Sequence, residues 1–193
     1  MLPGGFAGVD VFFVISGYLI TAIILREMAE GRFTLLGFWE RRARRIIPAL
    51  AAMLAATTLA AWAILTPDDF AEYAKALLAA SVFASNIRFA QGTGYFDWVE
   101  GNLPLLHTWT LGVKEQFYLV FPLMVLAAWR LSRGAVLPLI AVTGLASLAL
   151  ALWYAPRYPL LTFYLLPTRM WELMLGAACA ARRAPTGGWR RRA

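Results

Sequence analysis

The sequence predicts an all-α fold: a polytopic integral membrane helix bundle with about five spanning helices plus one re-entrant or interfacial helix. Three observations carry this expectation. First, 61% of the 193 residues are hydrophobic, 15% are charged and mean hydropathy is +0.63. A domain of this size dissolved in water needs far more polar surface. Second, five stretches approach the roughly 20 mostly apolar residues that cross a bilayer. Third, of 16 arginines, six lie between Arg26 and Arg45 and five lie in the last twelve residues. Both groups sit beside apolar runs, as positive-inside loops do. The 8 Trp, 7 Tyr and 12 Phe suit headgroup depth.

The five stretches are Gly8–Leu25, Ile46–Leu65, Leu105–Ala128, Val136–Tyr154 and Phe163–Ala181. A sixth, Lys75–Ala90, is shorter and carries Lys75, Asn86 and Arg88. Loop charge decides which of these span. Glu27 to Arg45, the loop Trp129–Ala135 with Arg130 and Arg133, and the tail from Arg182 are all rich in arginine and should be cytoplasmic. An even number of crossings must separate any two of them. Three apolar stretches lie between the first two loops, so Lys75–Ala90 is read as re-entrant or interfacial, on the outer side. The acids Asp68, Asp69, Glu72, Asp97 and Glu100 then face outward. The first helix runs from outside to inside, and a further helix is expected to precede it. Thr66-Pro67-Asp68-Asp69 is a helix-start signal, and Pro104 is placed to open the next long helix. Residues 182–193 read as a basic, disordered cytoplasmic tail.

Ionisable groups at membrane depth are costly and mark function by default. Asp10, Gly17 and Thr21 share one helical stripe, and Asp10 is either functional or an acid at a helix start. His107, Leu111, Lys114 and Tyr118 share another stripe, with Glu115 beside it. The histidine suits proton transfer near neutral pH, although the segment also reads as an interfacial helix start. Arg169 and Glu172 stand three apart, as a structural ion pair would. Arg42 and Arg45 also stand three apart, where guanidinium forks can grip phosphate or simply set topology.

Several function classes are excluded. The positive charge lies beside apolar runs, so anionic lipid rather than nucleic acid is its expected partner. There is no Walker loop, dinucleotide fingerprint, nucleophile elbow or metal-ligand spacing, and His107 is the only histidine. No bound cofactor or metal is expected. Cys179 is the only cysteine, so no internal disulfide can form. Met1 to Gly5 carries no basic n-region, so no cleavable signal peptide is expected.

Four segments carry a resemblance. They are Pro3 to Thr21 (PGGFAGVDVFFVISGYLIT), Arg41 to Pro48 (RRARRIIP), Leu105 to Tyr118 with Pro122, and Leu166 to Glu172 (LPTRMWE). In order and spacing the chain resembles the bacterial membrane acyltransferases of acyltransferase family 3, over residues 1–181. The resemblance implies a bundle of about ten helices in the bacterial inner membrane. It implies transfer of an acyl group, commonly acetyl, from cytoplasmic acyl-CoA to a hydroxyl of a cell-surface or exported carbohydrate, such as an O-antigen. Arg42 and Arg45 match the family's arginine pair and become candidates to hold coenzyme A phosphates. Asp10 falls in the family's helix motif.

Three departures from the family pattern stand out. The family's proposed catalytic histidine lies before the point where this chain starts, and His107 belongs to a different motif. Lys114 stands where the family reads a glutamate, leaving Glu115. The chain also stops near the sixth helix. The resemblance therefore implies a partial domain with little turnover of its own. Thiol release from acyl-CoA above a Glu115→Gln control would contradict that. A transporter or scaffold, or a gene remnant, are the rival readings.

Overall fold

The computed structural model describes residues 7–91 and 104–183. Pro3 to Phe6, the outer acids Asp97 and Glu100, and Arg190 to Arg192 lie outside them. Among the described residues every regular element is helical.

Helix α1, Ala7–Ala29, carries Asp10 in its first turn and no further charge until Arg26, and a turn at Gly31 follows it. Gly31 takes the left-handed conformation (φ 68°) that glycine adopts without strain, and the chain turns there. Thr34 accepts a hydrogen bond from the Gly37 N–H and so caps α2, Leu35–Ile64. Helix α2 starts among the clustered arginines and ends at an apolar tip where Trp62 is exposed.

The predicted start at Thr66 is observed. Its hydroxyl caps α3, Pro67–Ser81, with Pro67 in the first turn. Helix α3 folds back along α2, where the Tyr73 and Thr58 hydroxyls bond at 2.8 Å. Phe83 then takes a positive φ of 57°, and α4 follows, Ser85–Ala90. The stretch expected as one short helix is thus two helices with a break at 82–84. Neither is long and apolar enough to cross a membrane.

Pro104 lies in a turn rather than opening a helix. A 3-10 turn, Leu106–Thr108, comes first, and α5 runs over Trp109–Leu131. Ser132 caps the next turn, and α6 spans Val136–Tyr154. The fifth predicted span is broken. Helix α7 covers Pro159–Tyr164 and α8 covers Leu166–Arg183, with Leu165 extended between them. Pro167 has no N–H to donate one turn back, so the helix restarts there.

Among the described residues, four helices are long and apolar enough to cross a membrane, Gly8–Ala29, Leu35–Ile64, Leu106–Leu131 and Arg133–Tyr154. The fifth, α8, carries Arg169, Glu172, Arg182 and Arg183, and it packs along α1 and α6. Its direction can be read from its contacts. Asp10 meets Arg169, while farther along Gly17 lies on Leu173 and Gly176 on Val14. Helices α1 and α8 therefore run parallel. Ser147 bonds Pro167 and the Trp171 N–H, and Gly144 abuts Met174, so α6 runs antiparallel to α8. Parallel first and last helices are what three intervening crossings require.

Candidate functional site

Two layers of polar side chains interrupt the apolar packing. The first is centred on Arg169. Its Nη2 donates to Asp10 Oδ1 at 2.9 Å and its Nη1 to Glu172 Oε1 at 2.8 Å. The Phe13, Trp109 and Phe163 rings surround the guanidinium, with centroids 5.5, 5.8 and 5.2 Å from Cζ. The Glu172 side chain is 1% exposed, that of Arg169 14% and that of Asp10 45%. Arg169 Nε and Glu172 Oε2 have no hydrogen-bond partner among the described residues. The sequence spacing shows the Arg169–Glu172 pair. It does not show Asp10, which lies 159 positions earlier in the chain.

The second layer joins α2 to α5. The Arg42 guanidinium lies 3.9 Å from the centre of the Tyr118 ring, and Lys114 Nζ lies 4.1 Å from that of Phe12. Half-buried Glu115 faces the charges of both Arg42 and Lys114. Trp39, one turn before Arg42, donates from Nε1 to the Tyr118 carbonyl at 3.1 Å. That bond fixes the face of α2 which carries Arg42.

The arginines of the basic segment divide into two groups. Arg26 and Arg32 pair with Glu30, Arg41 with Glu27 and Arg44 with Glu40. Arg42 and Arg45 form no ion pair among the described residues. Arg42 is half-buried, its Nε has no hydrogen-bond partner among those residues, and Arg45 is exposed. Guanidinium groups not engaged by a direct ion pair are open to an anionic ligand.

The remaining candidates are spread out. His107 is exposed in the turn before α5, where its carbonyl accepts from the Thr110 hydroxyl at 3.1 Å. It stands off the helix on which its stripe was drawn. Asp10 belongs to the Arg169 layer and Glu115 to the Arg42 layer, so the three do not converge. Among the described residues no three His, Cys, Asp or Glu side chains group as metal ligands.

Two residues with no assigned role prove central to the architecture. Asn86 is fully buried and Gln116 faces it. Gln116 Nε2 donates to Asn86 Oδ1 at 2.8 Å and to the Phe83 carbonyl at 3.0 Å. Asn86 Nδ2 donates to Gln116 Oε1 and to the Tyr164 carbonyl, each at 3.2 Å. This amide clamp ties α4 to α5 and α7. In the sequence, only the cost of an asparagine in an apolar stretch pointed to it.

A family model described as an acyltransferase domain matches residues 3–192. A Haemophilus influenzae protein described only as uncharacterized is 41% identical over 124 residues, 64% of this chain and 51% of that protein. The peptidoglycan O-acetyltransferase OatA of Listeria monocytogenes is 35% identical over 184 residues, 92% of this chain and 29% of the relative. The O-acetyltransferase OatA of Staphylococcus aureus is 41% identical over 126 residues, 64% of this chain and 21% of the relative. The chain thus spans about half or less of the length of these curated relatives. No solved structure matches.

Proposed function

The chain belongs to the acyltransferase family whose domain it matches over residues 3–192, and from that membership we propose that it serves a multi-pass membrane O-acyltransferase. The acyl group, acetyl in our reading, comes from acyl-CoA and goes to a hydroxyl of a cell-surface or exported carbohydrate. The bacterial inner membrane is the proposed location. The relatives' names, which specify O-acetyl transfer and in one case peptidoglycan, support this class of reaction.

One observation carries the donor assignment. Among the six arginines from Arg26 to Arg45, only Arg42 and Arg45 form no ion pair among the described residues. Guanidinium groups set purely by topology would serve equally well paired. In our reading these two hold the donor's phosphates and point the thioester toward Glu115. In the reaction, the acceptor hydroxyl loses its proton to a base and its oxygen attacks the thioester carbonyl. The carbon–sulfur bond breaks, and the thiolate leaves and takes up a proton. Glu115 is our candidate base in this chain, because it interacts with the charge of Arg42, one of the two cations that would hold the donor. The surrounding bilayer excludes water that would hydrolyse the thioester.

Equilibrium binding tests the reading. The full chain in lipid nanodiscs is expected to bind radiolabelled acetyl-CoA saturably, with displacement by adenosine 3′,5′-bisphosphate. Absence of saturable binding would remove the donor assignment. Carbohydrate flux through proteoliposomes independent of acetyl-CoA would favour transport instead.

A further inference from the structure

We propose that a cavity between α6, α7 and α8 is a carbohydrate pocket that takes one hydroxyl-rich sugar ring. The cavity has a volume of about 230 Å³. That is below the ~300–1,000 Å³ typical of sites for drug-sized ligands, so it suits a single ring and not a coenzyme A molecule. Its lining residues include the aromatic Phe163 and Trp171 and the polar Thr162, Arg169 and Glu172. Aromatic walls with a few fixed polar groups suit a ring that has apolar faces and a polar rim.

The second observation is the unfinished bonding of its two charged residues. Glu172 is 1% exposed and spends Oε1 on Arg169 at 2.8 Å. Its Oε2 and the Nε of Arg169 have no partner among the described residues. Buried polar atoms of this kind normally have one, and each vacancy has a cost. The terminal torsion of glutamate is soft, and Oε2 is the acceptor we assign to a hydroxyl of the ring. Thr168, by contrast, is committed: its hydroxyl bonds the Thr162 and Leu165 carbonyls at 2.9 Å each. The vacancies therefore sit at the charged pair.

The cavity's exposed lining residues Ala155 and Pro159 lie at the C-terminal end of α6 and the start of α7, beside exposed Trp153, Tyr154 and Tyr158. The positive-inside orientation puts this end outside. A carbohydrate carried on the outer face would enter here, away from the arginines of α2. The role of the ring as acyl acceptor rests on the acyltransferase reading, whereas its binding rests on the cavity alone.

Saturation-transfer NMR on the full chain in nanodiscs, with methyl β-glucopyranoside as probe, tests this. Ala155→Trp fills the cavity from an exposed position, and Glu172→Gln removes the charge of the vacant acceptor. The expected result is probe saturation in the parent chain, its loss in Ala155→Trp and affinity about tenfold weaker in Glu172→Gln. Acetyl-CoA binding should be unchanged in Ala155→Trp. No saturation in the parent chain, or saturation that persists in Ala155→Trp, overturns the pocket. Loss of acetyl-CoA binding in Ala155→Trp also overturns it, by making the cavity part of the donor site. Probe binding without acetyl-CoA binding keeps the pocket and defeats only the donor reading.

Discussion

Arg169 ties α8 to α1 through Asp10, pairs with Glu172 on its own helix and packs against rings from α1, α5 and α7. Removing it would leave Glu172 buried and uncompensated. Breaking a buried pair from one side costs about 3–5 kcal/mol, while replacing both partners by apolar groups is often neutral. Arg169→Met should therefore lower thermal stability in nanodiscs sharply, and Arg169→Met with Glu172→Leu should recover most of the loss. If the double variant is no better than the single, the cost lies in packing and not in charge. Gly17 is a different kind of constraint. A Cβ there would collide with the Leu173 backbone carbonyl, whereas at Gly8 it meets open space. Overpacking costs about 1–3 kcal/mol. Gly17→Ala should lower the midpoint and Gly8→Ala should not, as scanning fluorimetry can check. The sequence made the Asp10–Gly17–Thr21 stripe legible, because helical phase is local. It left the partner of that stripe hidden, since Arg169 and Leu173 meet it only through tertiary packing.

At the scale of the helix, the α3–α4 hairpin is the least conventional element. Its polarity was legible, and so was its failure to span. Its break at 82–84 was not, because Phe83 is a residue type that rarely takes positive φ. The Asn86–Gln116 clamp supplies the reason the hairpin stays docked. Asn86→Leu should leave Gln116 with unmet partners, at about 1–3 kcal/mol. Hydrogen exchange across residues 82–90 should rise, with little change in α1, and unchanged exchange would discount the clamp.

Glu72 adds a dependence on pH. A hydrogen bond from Lys75, then charge from Lys75 and Arg88, hold its carboxyl below the ordinary value of 4.5. A depressed folded value means that its contribution is present above the unfolded pKa and fades as pH falls through the folded one. Exchange in α3 should therefore increase on acidification below the ordinary carboxylate range, and Glu72→Gln should flatten that response. Pro167 shows the same limit of local reading. Proline at a helix start was recognised at Pro67, but inside an apolar stretch its power to restart a helix was masked by hydropathy.

The whole molecule presents a surface made for lipid. Val142, Leu145, Leu152 and Leu59 are each about two-thirds exposed or more, which in water would be an aggregation hazard. Exposed Trp62, Trp153, Tyr154 and Tyr158 gather at the ends of α2 and α6, the ends that loop charge assigns to the outer side. The all-α membrane class, four of the five expected spans and the family were legible, since each depends on runs of residue types. The separation of the basic segment into paired and unpaired arginines was not, because Arg41 finds Glu27 only once α1 and α2 are packed.

That separation is the centre of the functional account, and one comparison tests it directly. Acetyl-CoA affinity should be measured in nanodiscs for the parent chain, Arg42→Ala and Arg44→Ala. Charge-assisted hydrogen bonds are worth about 1.5–3 kcal/mol, roughly tenfold or more in affinity. The account predicts that loss for Arg42→Ala and near-parent affinity for Arg44→Ala, whose guanidinium is engaged by Glu40. Equal losses in the two variants would mean diffuse basic charge, and no loss in Arg42→Ala would contradict the account.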